Sequence, residues 1–118
     1  EVTDDDFKYA SLNYKINTQE AIEFTKKNKV DEFFILSLPS RSDYTKIMKN
    51  KFYIHYNQRI DELTKEYNIK YINLPTLSNL KKEEQNYFCD AVHKTLKGNI
   101  LTAKMIHEYL KNNSSFFK

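Results

Sequence analysis

Phe33-Phe34-Ile35-Leu36-Ser37-Leu38-Pro39 is the stretch on which the fold reading turns. Its continuous apolar run, closed by a proline, predicts a short strand buried on both faces. Working outward, Ser40 to Tyr44 reads as a polar loop. Met48, Phe52, Tyr56, Ile60, Leu63 and Tyr67 then recur at helical spacing along a single stripe, and Asn68 is a stop signal. Ile69 to Leu74, closed by Pro75, predicts a second short strand. On the N-terminal side, Asn17 with Glu20 resembles a capping box for a short amphipathic helix through Ala21, Ile22 and Thr25 to about Asn28. Tyr9 to Ile16 is a weaker candidate for a third strand. Residues 76 to 95 read as polar loop with one helical turn. After Gly98 a last helix places Ile100, Ala103, Ile106 and Leu110 on one face and ends at Asn112-Asn113.

Helix, strand, helix, strand, helix predicts an α/β chain, a partial three-layer arrangement of parallel sheet with flanking helices. A lone pair of parallel strands is marginal, because three or more are usually needed for a stable sheet. The expectation is therefore a single domain over residues 1 to 118 that is the C-terminal portion of a larger domain, or that completes its sheet with a partner.

Composition narrows the function classes. The 118 residues are 40% hydrophobic and 14% aromatic, enough for a packed core and too much for a disordered chain. A single cysteine excludes an intramolecular disulfide framework. No apolar run reaches the roughly 18 residues that span a bilayer. Glu1 to Asp6 is acidic, unlike a signal peptide, and the absence of an initiator Met suggests that something stood upstream. The net charge of +3 comes almost wholly from lysines interleaved with acids, as in Lys81-Lys82-Glu83-Glu84, and only Arg41 and Arg59 are arginines. A nucleic-acid groove concentrates its charge and favours arginine forks, so nucleic acid is not an expected partner. The single cysteine suits the cytoplasm and a cysteine-poor bacterial surface equally, so the compartment is unknown.

The chemically informative block is Phe88-Cys89-Asp90-Ala91-Val92-His93, followed by Lys97-Gly98 and the last helix. A carboxylate three residues before an imidazole can hydrogen-bond Nδ1, set the tautomer and leave Nε2 to accept a proton from a hydroxyl. Cys89 and His93, four apart, could share a helical face as metal ligands do, but only His55 and His107 remain to complete a zinc site, both far away in sequence. Cys89 reads as a small core thiol, and His55 and His107 as surface or boundary residues. Ser37, Ser40 and Ser42 lie at or after the end of a strand, where α/β sites gather, but none has a nucleophile-elbow signature. Ser11 has less to recommend it.

From about Val30 to Leu110 the chain resembles the C-terminal half of the SGNH (GDSL-type) hydrolase superfamily. The resemblance rests on the strand ending in Leu38-Pro39, the helix with Tyr56-Asn57-Gln58-Arg59-Ile60, the segment Asn68 to Leu74, Asp90-x-x-His93, and Gly98 with its helix. It implies a flavodoxin-like half domain of an esterase or carbohydrate or cell-wall O-acyltransferase working through an acyl-enzyme. It also implies Asp90 as the orienting acid and His93 as the general base of a Ser-His-Asp triad, with no cofactor and no metal. The substrate would be an acylated small molecule or glycan. The family's G-D-S nucleophile block, its oxyanion-hole glycine and its G-x-N asparagine are absent from these residues. The resemblance therefore implies that an upstream half or another subunit completes the site. The competing reading is a non-catalytic α/β binding or interaction module.

Overall fold

The computed structural model describes residues 1–37, 53–74, 84–90 and 93–117. Their order is α1 (Asp4–Lys27), β1 (Phe34–Ser37), α2 (Tyr53–Tyr67), β2 (Lys70–Asn73), α3 (Glu84–Tyr87), α4 (Leu96–Asn113) and a 3-10 turn (Ser115–Phe117). The chain divides into two compact units, residues 1–35 with 47–71, and residues 36–46 with 72–118. The division falls inside both strands.

The expected α/β half domain, with its partial three-layer parallel sheet, is overturned. The described residues are mostly helical, and their only sheet is the parallel pair β1 and β2. The third-strand candidate, Tyr9 to Ile16, lies in the middle of a helix. The reason is local: α1 starts at Thr3 rather than Asn17. The Thr3 hydroxyl accepts the backbone N–H of Asp6 at 3.3 Å, and the Asp6 carboxylate accepts the Thr3 backbone N–H at 2.8 Å. That reciprocal cap satisfies two helix-end donors, and Asp4, Asp5 and Asp6 complement the positive end of the helix dipole. From that cap the helix runs through the strand candidate without interruption to Lys27.

Both long helices of the first unit end in left-handed residues. Lys29 has φ 58°, its N–H donates to the Lys26 carbonyl at 3.1 Å, and the Val30 N–H reaches back to Thr25 at 2.9 Å. This double bond pattern is a Schellman motif with lysine in the place glycine favours. Asn68, the expected stop of α2, has φ 53°. The stretch of the expected α2 stripe that includes Met48 and Phe52 lies outside the described residues, as do Leu38, Pro39, the loop Ser40 to Tyr44, and Pro75.

In the first unit α1 packs along α2. Ile22, Ile35, Ile60 and Leu63 form the core, with Tyr14, Phe33, Tyr67, Ile69 and Tyr71 packed around it. A charged clasp closes the helix pair. Lys15 Nζ donates to Glu62 Oε2 at 2.9 Å and Glu66 Oε1 at 2.8 Å, and Arg59 Nη1 donates to both oxygens of Glu62. β1 is not buried on both faces as expected: Ile35 is buried, but Leu36, pointing the other way, is exposed. Phe34 and Ser37 on either side are half-buried, so neither face of the strand is wholly covered.

In the second unit Ile72, Leu74 and Phe88 are buried. The helical turn expected between 76 and 95 is α3. α4 begins at Leu96, two residues ahead of Gly98, with Thr95 as its N-cap: the Thr95 hydroxyl accepts the Gly98 N–H at 3.1 Å. The expected apolar face of α4 is corrected too. Ile100 and Ala103 are exposed, while Gly98 and Thr102 are buried and Leu101, Met105, Ile106 and Tyr109 are half-buried. The buried face is rotated toward Gly98 because the helix approaches the Tyr87 backbone there, and an added Cβ would overlap the Tyr87 carbonyl oxygen. The Thr102 hydroxyl, turned inward, donates to the Gly98 carbonyl at 2.9 Å.

Candidate functional site

The site is a tight turn between α3 and α4 in the second unit. Phe88 and Lys94 form an isolated antiparallel bridge, the Cys89 N–H donates to the His93 carbonyl at 2.8 Å, and the Thr95 N–H donates to the Tyr87 carbonyl at 3.0 Å. The Thr95 hydroxyl also donates to the Asn86 carbonyl at 2.8 Å, so this one side chain ties both strands of the turn to the start of α4. The sequence signal for this role is a threonine immediately ahead of an apolar helix, the position that N-caps favour.

Within this frame Asp90 and His93 meet as their spacing predicts. Asp90 Oδ1 accepts the backbone N–H of His93 at 2.8 Å, and Oδ2 lies 2.7 Å from His93 Nδ1. One carboxylate thus closes the turn and holds the ring. Contact with Oδ2 places the proton of the neutral imidazole on Nδ1, leaving the Nε2 lone pair available. Both side chains are open to water, His93 at 78% relative exposure. Lys94, beside them, is directed over the Phe88 ring at 5.9 Å, and burial pushes its amine below the usual lysine range.

The other sequence candidates are scattered. Ser11 is fully buried in α1 and donates to the Lys8 carbonyl at 2.7 Å, a structural bond. Ser37 is half-buried in β1, and Ser40 and Ser42 lie outside the described residues. Cys89 is a free, exposed thiol rather than a core residue. His55 is a boundary residue that ties α2 to the start of α1, its Nε2 3.0 Å from Asp4 Oδ1. His107 is exposed and packs edge-on against Phe117. Among the described residues no three His, Cys, Asp or Glu side chains are grouped to hold a metal ion, and no helix is long and apolar enough to cross a membrane.

Comparison with protein-family models, curated proteins and solved structures finds no match to this chain.

Proposed function

We propose that Asp90 and His93 are the acid and base of an acyl-transfer site, in an SGNH-like esterase or carbohydrate or cell-wall O-acyltransferase. The observation that carries the reading is the 2.7 Å contact of Asp90 Oδ2 with His93 Nδ1 on a ring whose other edge faces water. His93 Nε2 accepts the proton of a serine hydroxyl as its oxygen bonds to the carbonyl carbon of an ester or activated acyl group. Asp90 stabilises the imidazolium that forms. The same proton passes to the departing alkoxide, leaving an acyl-serine. Water or a sugar hydroxyl then gives its proton to Nε2 as its oxygen attacks the acyl carbon, and the serine oxygen leaves with that proton, which restores the hydroxyl and the neutral imidazole. The serine and the oxyanion donors come, on this reading, from chain outside these 118 residues or from another subunit.

The test is ester hydrolysis, and acyl transfer to a sugar, by the protein as its cell makes it. Asp90→Asn should lower turnover by about 10⁴-fold and His93→Ala by about 10⁶-fold, and fluorophosphonate labelling of a serine should vanish in His93→Ala. Unchanged turnover in His93→Ala, or labelling that ignores it, removes the reading. A His93-dependent adduct on the 118-residue chain would place the nucleophile within it, with Ser40 and Ser42 the first suspects.

A second reading, an interaction module without catalysis, draws on the apolar surface of α4, where Leu96 and Ile100 are exposed with Phe116 just beyond. Under it, Asp90→Asn leaves partner binding intact.

A further inference from the structure

α4 packs inward through Gly98 and Thr102. On its opposite face Leu96, Ile100, Ala103 and His107 are exposed, and at 100° per residue they fall within about 60° of one another. The 3-10 turn carries this stripe past the end of the helix. Phe117 packs edge-on against His107 at 5.7 Å and Phe116 against Phe117 at 5.6 Å, and Phe116 is 87% exposed. The turn is fixed from beneath, where the Phe116 N–H donates to the hydroxyl of buried Ser114. The charged residues exposed along α4 are Lys97, Lys104, Lys111 and Glu108. The lysines recur every seventh residue and so form one row along an edge of the stripe. Glu108 lies beyond that row, farther round the helix from the stripe than any of the three. The other edge, at Asn99 and Leu110, is uncharged. The face is therefore apolar and aromatic along its middle with a net positive edge.

We infer that this face docks on an anionic lipid surface, with Leu96, Ile100 and Phe116 set among the upper acyl chains and Lys104 and Lys111 at the headgroups. A helix lying flat at that boundary buries its apolar stripe while long lysine stems carry their ammonium groups back to the phosphates. The charge selects the partner. Three lysines against one glutamate favour an anionic layer over a neutral one. Fixed carboxylates on a protein partner would favour the planar fork of arginine, and α4 has no arginine. A nucleic acid would leave the apolar stripe uncovered, and an antiparallel second copy would set one lysine row upon the other. Docking of this kind needs no spanning helix. The inference rests on the exposed α4 surface that the second reading uses, and it names what covers that surface.

Cosedimentation of the 118-residue chain with lipid vesicles tests it. The chain should pellet with vesicles of equal parts phosphatidylcholine and phosphatidylserine, not with phosphatidylcholine alone, and salt should release it. A lysine near such a surface is worth about fivefold in binding, so Lys104→Gln with Lys111→Gln should weaken it by about 30-fold. Lys97 is left in place because its amine also stands over the Tyr87 ring at 5.4 Å. Ile100→Asp should weaken binding by more than about tenfold. The chain has no tryptophan, so the single indole of Phe116→Trp should shift its emission to the blue when anionic vesicles are added. Circular dichroism of each variant checks that α4 is intact. Failure to bind the anionic vesicles overturns the inference, as does equal binding to neutral ones. So does binding indifferent to the lysine pair or to Ile100→Asp, or an unshifted Phe116→Trp emission. A face that takes only a protein or a second copy also overturns it, and leaves the second reading standing. His93-dependent turnover removes the second reading without altering vesicle binding, so the two fail separately.

Discussion

Asp90 engages His93 twice, once at the backbone N–H and once at Nδ1, so the turn that positions the ring and the bond that orients it share one carboxylate. Asp90→Asn separates the two effects. The amide oxygen can still close the turn, but its NH2 group facing Nδ1 favours the other tautomer. Long-range proton–nitrogen spectra of neutral His93 should show the proton on Nδ1 in the native chain and on Nε2 in the variant, with the fold retained. A native ring protonated mainly on Nε2 would show that the contact does not set the tautomer.

Gly98 makes a second local dependence. An alanine there would overlap the Tyr87 carbonyl and press on the Lys94 Cβ, which an ideal Cβ would approach to 3.1 Å. Overpacking of this kind costs about 1–3 kcal/mol. Gly98→Ala should lower the midpoint of chemical unfolding and speed hydrogen exchange at the Cys89 and Thr95 amides. Unchanged protection at both would mean that α4 does not need the close approach.

The Lys15 clasp makes the first unit sensitive to pH at both extremes. Its hydrogen bond to Lys15 holds Glu62 below the usual glutamate range, and its bonds to Glu66 and Glu62 raise Lys15. For Glu62 the stabilisation is present above its unfolded value and is lost as pH falls through the lowered folded one. For Lys15 it is present below the unfolded value and is lost as pH rises through the raised folded one. Tyr14, raised chiefly by burial, loses its share in the same alkaline direction. Thermal midpoints should plateau near neutrality and fall on both sides, and Lys15→Met should flatten the acid arm. An acid arm identical in Lys15→Met would refute the assignment.

Lys29 occupies a left-handed position that suits glycine. Because a side chain there costs roughly 1 kcal/mol, Lys29→Gly should stabilise the chain by about 0.5–1 kcal/mol in urea titration, if the Schellman bonds to Thr25 and Lys26 persist. A loss of stability would mean that the unfolded-state entropy of glycine outweighs the relieved strain.

Local chemistry was readable where its partners are close in sequence. Asn68 ends α2, the runs through Ile35 and Ile72 become strands, and Asp90 reaches His93 across three residues. The Thr3–Asp6 box is equally local, but Asn17 with Glu20 offers a competing start and Tyr9 to Ile16 a weak strand candidate, and α1 runs through both. A longer helix is the outcome because neither glycine nor proline interrupts residues 4–27 and the Thr3–Asp6 cap satisfies the N-terminal end.

What the sequence by itself determined is thus the two strands, the helix ending at Asn68, the C-terminal helix and the Asp90–His93 contact, since these rest on short periods and on partners close in sequence. Which face of each element is buried was decided by tertiary structure. Leu36 follows buried Ile35 along the same apolar run of β1 yet is exposed, while Phe34 two residues before it is half-buried. Ile100 and Ala103 share a helical face with Ile106, but they are exposed, and α4 lies close to the Tyr87 backbone at Gly98, where any side chain would overlap the Tyr87 carbonyl. Burial is a relation between two surfaces, and periodicity specifies only one of them.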